Sequence, residues 1–227
     1  MATFVLVHGA GGGGWIWQPV RSLLRAEGHE VYTPTLTGLG ERAHLLSPEI
    51  DLDTHIQDVV NVLEYEQLSQ VILVGHSYGG VVITAVAERI PERLAHLVYL
   101  DAYVLGNGEG LLDLYDAAFV DALSERVRTQ GDGWRLPPDE PPDPRLTDHP
   151  FKTATQPIEV KSPAAAALPH TYILCTDKAE MGLGAQGFIR SAARAQAKGW
   201  QYFELRTGHA PMYTMPQELV GLLHGLA

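Results

Sequence analysis

Short runs of Val, Ile and Leu alternate with stretches of helical period along most of this chain. That alternation limits the fold more than any other feature. Phe4–Val7, Val31–Pro34, Val71–Gly75, Leu94–Leu100, Thr171–Cys175 and Gln201–Leu205 read as six strands, and Trp15–Ala26, Asp53–Tyr65, Tyr78–Ile90, Gln186–Ala197 and Pro216–Leu226 read as helices. In the second helix Ile56, Val59, Val60 and Leu63 fall at i, i+3, i+4 and i+7, with Asp53 or Thr54 available as the cap. Gly28 stops the first helix and Pro91 the third. Strands that are apolar on both faces must be covered on both faces, which means a parallel sheet between layers of helices. A chain of 227 residues is long enough for one such α/β domain.

The rhythm stops between Tyr103 and Leu168. Leu112, Tyr115, Phe119 and Leu123 are spaced for one amphipathic helix. "GDGWRLPPDEPPDPRLTDHP" follows, and its prolines remove backbone donors and fix φ, so it is expected to form neither helix nor central strand. Residues 1–227 are therefore expected to be one domain, with 103–168 inserted as a lid or cap. Inserts at the carboxyl end of such a sheet commonly cover the ligand crevice.

The formal net charge is −11 and no basic cluster stands out, so neither nucleic acid nor an anionic membrane is an expected partner. No apolar run reaches the ~20 residues of a membrane span. No leader-like segment precedes the first strand, and the expectation is a cytoplasmic protein. The single cysteine, Cys175, excludes an internal disulfide and reads as a core residue. The oligomeric state is open, with a homodimer as one option.

The chemistry is concentrated in "VILVGHSYGGVV", where Gly75-His76-Ser77-Tyr78-Gly79 is a G-x-S-x-G between a strand and a helix. A nucleophile on so sharp a turn stands clear of the sheet edge, and the glycines two residues either side make room for it. Serine needs a base. Of ten histidines, His209 in "LRTGHAPMYT" directly follows the last strand, where the base of such a site belongs. His76 lies in the turn itself, and alternation directs it away from Ser77. His8 ends the first strand, His224 lies in the last helix, and the other six read as surface or satisfied core residues. Two carboxylates at strand ends can orient the imidazole: Asp101 in "LVYLDAYV" and Asp177 after "TYILCT". Spacing does not choose between them.

Gly9 to Gly14 also satisfies G-x-G-x-x-G, the pattern of a dinucleotide-binding turn. Such a turn needs an acidic residue at the end of the second strand, and "VYTPTLTG" has none. A nicotinamide-dependent reductase is the weaker reading. The competing use is an oxyanion hole, in which the backbone N–H groups of Ala10 and Tyr78 converge on a developing negative charge.

"VLVHGA", "GLGERAHL", "DLDTHIQDVVNVLEYE", "VGHSYGG", "LVYLDAYV" and "TGHAPMYTMP" together resemble the α/β-hydrolase superfamily. The likeness is greatest to its methylesterase and hydroxynitrile-lyase-like branch, and within that to bacterial esterases. The resemblance implies a mostly parallel six-stranded sheet flanked by helices, lacking the first two strands of larger hydrolases. A lid is implied between the sixth and seventh strands of the full fold. Ser77 is implied as nucleophile, His209 as base, and Ala10 and Tyr78 as oxyanion donors. Plant esterases of the branch carry their acid in C-T-x-D; here Asp177 comes one residue early and Lys178 stands in that place. Bacterial members often carry L-D-A instead, as Leu100-Asp101-Ala102 does, so the resemblance favours Asp101, with Asp177 as the alternative. The related lyases have threonine where Gly9 stands and lysine where Ala210 stands. The implied activity is hydrolysis of a small carboxylic ester or lactone through an acyl-serine, with no cofactor and no metal. The alternatives are a lyase or polyketide-tailoring reaction on the same residues, or a small-ligand receptor with an idle triad. Leu111–Leu123, Trp134 and Phe151 are expected to line the substrate pocket or to pack the insert onto the sheet.

Overall fold

Successive side chains of the central strands alternate between two separate cores. The computed structural model describes residues 1–138 and 143–227, so the centre of the Pro-rich stretch lies outside the described residues. The strands described are β1 (Thr3–Val7), β2 (Glu30–Tyr32), β3 (Val71–His76), β4 (Leu94–Leu100), β5 (Arg135–Leu136), β6 (His149–Pro150), β7 (His170–Cys175) and β8 (Gln201–Leu205). The helices are α1 (Gln18–Ala26), α2 (Leu52–Tyr65), α3 (Gly79–Arg89), α4 (Ala117–Gln130), α5 (Lys152–Thr155), α6 (Pro163–Ala166), α7 (Ala185–Ala197), α8 (Pro211–Thr214) and α9 (Pro216–His224).

Six strands form one sheet in the order β2-β1-β3-β4-β7-β8, and every neighbouring pair is parallel. Phe4 and Leu6 face a core shared with α1 and α9, where they meet Val20, Leu24, Leu219 and Leu223. Val5 and Val7 face the other core, with Ile56 and Leu63 of α2, Val82 of α3 and Phe188 of α7. Each such side chain contributes about 1.5–3 kcal/mol on full burial, which ties the sheet to both helical layers. The chain passes from β1 outward to β2 and returns to β3 on β1's other side. That reversal opens a crevice at the carboxyl ends of β1 and β3, the usual ligand position in such sheets.

Several boundaries differ from the sequence expectation. The first helix begins as a 3-10 turn over Gly14–Trp17. Helix α2 is capped by Asp51, whose carboxylate accepts from the Thr54 N–H at 3.0 Å, and not by Asp53 or Thr54. The helix expected over Leu112–Leu123 starts only at Ala117, behind the cap Asp116; Leu112 belongs to a separate 3-10 turn, Leu111–Leu114. Within the Pro-rich stretch Arg135–Leu136 pairs antiparallel with His149–Pro150, away from the main sheet. Among the described residues no helix is long and apolar enough to cross a membrane.

Candidate active site

Immediately after β3 the backbone of Ser77 turns left-handed, with φ at 53°. A non-glycine residue held there costs about 1–3 kcal/mol, and packing must impose it. The surrounding glycines show how. A Cβ on Gly75 would lie 2.5 Å from the Gly79 carbonyl oxygen, and one on Gly80 would lie 2.5 Å from that of Tyr103. The Ser77 N–H donates to Leu100 O at 3.3 Å, and Ser77 O accepts from the N–H groups of Gly80 and Tyr103. The turn is thus tied to the chain leaving β4. Ser77 itself is buried, at 9% exposure.

His209 lies in the loop after β8, and its Nδ1 is 2.6 Å from Oδ2 of Asp101. A carboxylate only accepts, so Nδ1 carries a proton, and in the neutral ring the lone pair is then on Nε2. Asp101 is fully buried, whereas the His209 side chain is 28% exposed and open to a substrate. Asp101 is itself left-handed, with φ at 43°. Its N–H donates to Ile173 O at 2.7 Å, and the Tyr172 hydroxyl donates to the next carbonyl, Ala102 O, at 3.0 Å. Oδ1 accepts from the Cys175 N–H at 3.2 Å and from the Lys178 ammonium at 2.5 Å; the ammonium also reaches Oδ2. Burial alone would raise the Asp101 carboxyl, but His209 and Lys178 outweigh it and hold it below the ordinary carboxylate value. Asp177 is exposed and accepts from the Ala179 N–H within its own turn. The fold therefore brings Asp101, not Asp177, to His209.

His76 has a part that strand alternation did not suggest. Its Nε2–H donates to the main-chain carbonyl of His209 at 2.7 Å, and the two rings stand 4.5 Å apart. Burial and the nearby His209 lower its pKa to about 3, so it is neutral at ordinary pH. Phe188 of α7 approaches His209 at 4.6 Å. The His209 imidazole is held by these two rings as well as by the carboxylate.

The glycine loop adjoins the same point. A Cβ on Gly9 would lie 2.9 Å from Ser77 Cβ and 3.4 Å from Ser77 Oγ. His8 accepts the Leu36 N–H at Nε2, so its Nδ1–H donates to Gly9 O at 2.8 Å and fixes the peptide that ends in the Ala10 N–H. Among the described residues neither the Ala10 nor the Tyr78 N–H has a protein acceptor. The Gly11 N–H donates to His149 Nδ1, and Gly11 O accepts from the Thr147 N–H, so the segment before β7 is strapped to this loop. The Tyr78 hydroxyl is 2.9 Å from Nδ1 of His55, whose Nε2–H donates to Thr37 O. Burial lowers His8 and His55 to about 4 and pushes His149 well down. Gly14, the last glycine of the pattern, gives its N–H to the Thr35 hydroxyl at 2.7 Å.

A cavity of about 260 Å³ lined by Thr84, Tyr99, His170 and Trp200, among others, has none of Ser77, Asp101 and His209 in its lining. Among the described residues no cluster of three or more His, Cys, Asp or Glu side chains is arranged to hold a metal ion.

The sequence pattern of the alpha/beta hydrolase family matches residues 4–222. The chain is 38% identical to the carbendazim hydrolyzing esterase of Nocardioides sp. over 251 aligned positions, which cover 100% of both chains. It is 28% identical to the pyrethroid hydrolase of Sphingobium wenxiniae, across 96% of this chain and 85% of that one. Methylesterase 17 of Arabidopsis thaliana is 27% identical, across 97% and 89%. A solved extracellular alpha/beta-hydrolase from a Paenibacillus species superposes with a TM-score of 0.86 at 22% identity, covering 100% of this chain and 99% of that one, a likeness of fold. With the pattern running from β1 into α9 and one relative matched end to end, the chain belongs to the alpha/beta hydrolase family.

Proposed function

We propose that this ester-hydrolysing α/β-hydrolase cleaves a small, largely apolar carboxylic ester through an acyl-enzyme on Ser77. The observation that carries the reading is the 2.6 Å bond between His209 and a fully buried Asp101, beside a serine held left-handed after β3. Ser77 Oγ attacks the ester carbonyl while His209 Nε2 takes its proton. Asp101 stabilises the imidazolium that forms, and the N–H groups of Ala10 and Tyr78 take the oxyanion. His209 returns the proton to the departing alkoxide. Water, deprotonated by the same histidine, then frees the acid. Losing one oxyanion donor in such a site typically costs about 3 kcal/mol of transition-state stabilisation.

In this reading residues 1–227 are one catalytic domain and 103–168 its lid. The apolar surface nearest His209 is Phe188, with Tyr103 stacked on it at 4.5 Å and Tyr115 and Phe119 stacked beyond at 4.2 Å, and in this reading the acyl or alcohol group packs toward it. Those rings favour an apolar substrate without charge. Relatives named for carbendazim, pyrethroids and methyl esters support the class and leave the individual ester open. The test is hydrolysis of p-nitrophenyl acetate and butyrate by the wild type and by Ser77→Ala, with fluorophosphonate labelling alongside. Turnover and labelling lost together in Ser77→Ala are expected. A folded, inactive and unlabelled wild type refutes the proposal.

A further inference from the structure

The carboxylate that meets His209 does not face it alone. Lys178 forks onto both oxygens of Asp101, and its side chain is only 14% exposed. Its ammonium also lies 5.2 Å from the Phe188 ring, the same ring that flanks His209. Cation, carboxylate and imidazole therefore form one contiguous chain. The other groups facing Asp101 and His209 are neutral near pH 7. His76 from β3 is lowered to about 3, and the Cys175 thiol at the end of β7 is pushed up by burial. Tyr103 and Tyr172 are raised well above their ordinary value. Among the described residues Lys178 is thus the cation that bears on this carboxylate.

We infer that Lys178 is a positioning residue that tunes the base: it grips both oxygens of Asp101 and offsets part of the negative charge that the carboxylate presents to His209. The inference rests on the reading of Asp101 and His209 as acid and base. Two physical consequences follow from the geometry. First, Oδ1 is held by Lys178 and the Cys175 N–H, while Oδ2 is shared between Lys178 and His209, so the carboxylate is fixed from both sides. Second, an imidazolium at His209 would be the second cation on one carboxylate. Its formation is opposed by the ammonium, as like charges oppose one another at such separations.

The test compares kcat/KM for p-nitrophenyl acetate against pH, from about pH 5 to 9, in the wild type, Lys178→Met, Lys178→Gln, Lys178→Arg and Asp101→Asn. Thermal unfolding is recorded for each. Removing the ammonium is expected to move the acid limb upward by about one pH unit or more, with activity kept on the alkaline side. Lys178→Arg is expected to keep the limb near its wild-type place. An acid limb unmoved in an active, folded Lys178→Met overturns the inference. So does a loss at every pH as deep as that of Asp101→Asn, or unfolding of both neutral variants, because either assigns Lys178 to building the turn alone. Asp101→Asn separates the two levels. Full activity there removes the acid assignment and this inference with it. A collapsed rate there beside an unmoved limb in Lys178→Met removes only the role of Lys178.

Discussion

Acid should unfold this protein through its neutral histidines well before its carboxylates matter. His8 and His55 are held near pKa 4 by burial, against 6.5 for an exposed imidazole. Between those values the unfolded chain binds a proton at each ring and the folded chain does not, so acidification pulls the equilibrium toward the unfolded state. The stability these two groups contribute is fully present above pH 6.5 and is lost as pH falls toward 4. At about pH 4.5 each has surrendered about 2.5 kcal/mol, and the pair about 5 kcal/mol. His76 and His149, lowered by the same burial, act in the same direction. Such a loss is comparable to the whole stability of a marginal domain, about 5–15 kcal/mol. Asp101 and Asp51 are lowered from 3.8 and release their stabilisation only below that value, so they do not blur the window. The assay is urea unfolding followed by circular dichroism at intervals between about pH 7.5 and 4.5. A midpoint that falls steadily with pH, at constant slope, is expected. An unfolding free energy that changes by less than about 1 kcal/mol across the window refutes the claim that these rings fold neutral.

Other changes separate the site's parts. Asp101→Asn is expected to lower kcat by about 10³–10⁴-fold, while Asp177→Asn stays within about twofold, as steady-state kinetics would read. Tyr78→Phe removes the hydroxyl bonded to buried His55 and should cost about 1–3 kcal/mol in chemical denaturation. It should spare most of kcat, because the proposed oxyanion donor is the Tyr78 backbone N–H. Gly75→Ala has no room for its methyl beside the Gly79 carbonyl, and a loss of about 3 kcal/mol or more is expected on thermal or chemical unfolding.

The strands and most helices were legible because burial on both faces forces near-continuous Val, Leu and Ile, and helices must then fill the spaces between. Ser77 was legible because its turn tolerates little but glycine at 75, 79 and 80. The start of α4 was not. Tyr115 is buried at helical spacing from Phe119, but Asp116 caps the helix between them by accepting the Phe119 N–H, and the apolar period does not register a cap. The two aspartates could not be ranked by spacing, since both stand at strand ends; the difference lies in the left-handed backbone of Asp101, which no residue type demands. His76 and Lys178 escaped for another reason. Their partners lie 133 and 77 residues away, at His209 O and the Asp101 carboxylate, and only the folded sheet makes them neighbours. The signal that was present is a lysine where related esterases carry their acid.

Ser77 and Asp101 each follow the last residue of a strand, and those residues, His76 and Leu100, are partners in the β3–β4 register. Each then gives its amide to the next strand over, Ser77 to Leu100 and Asp101 to Ile173. The chain thus leaves the sheet for Ser77 and for Asp101 from two neighbouring strands, whose backbones pair at a spacing of about 4.8 Å. The sheet acts as a ruler for Ser77 and Asp101; Tyr103 adds its N–H to Ser77 O, and among the described residues the segment beyond it, through residue 168, makes no hydrogen bond to either. Exchanging that segment for another is therefore expected to leave the placement of Ser77 and Asp101 unchanged.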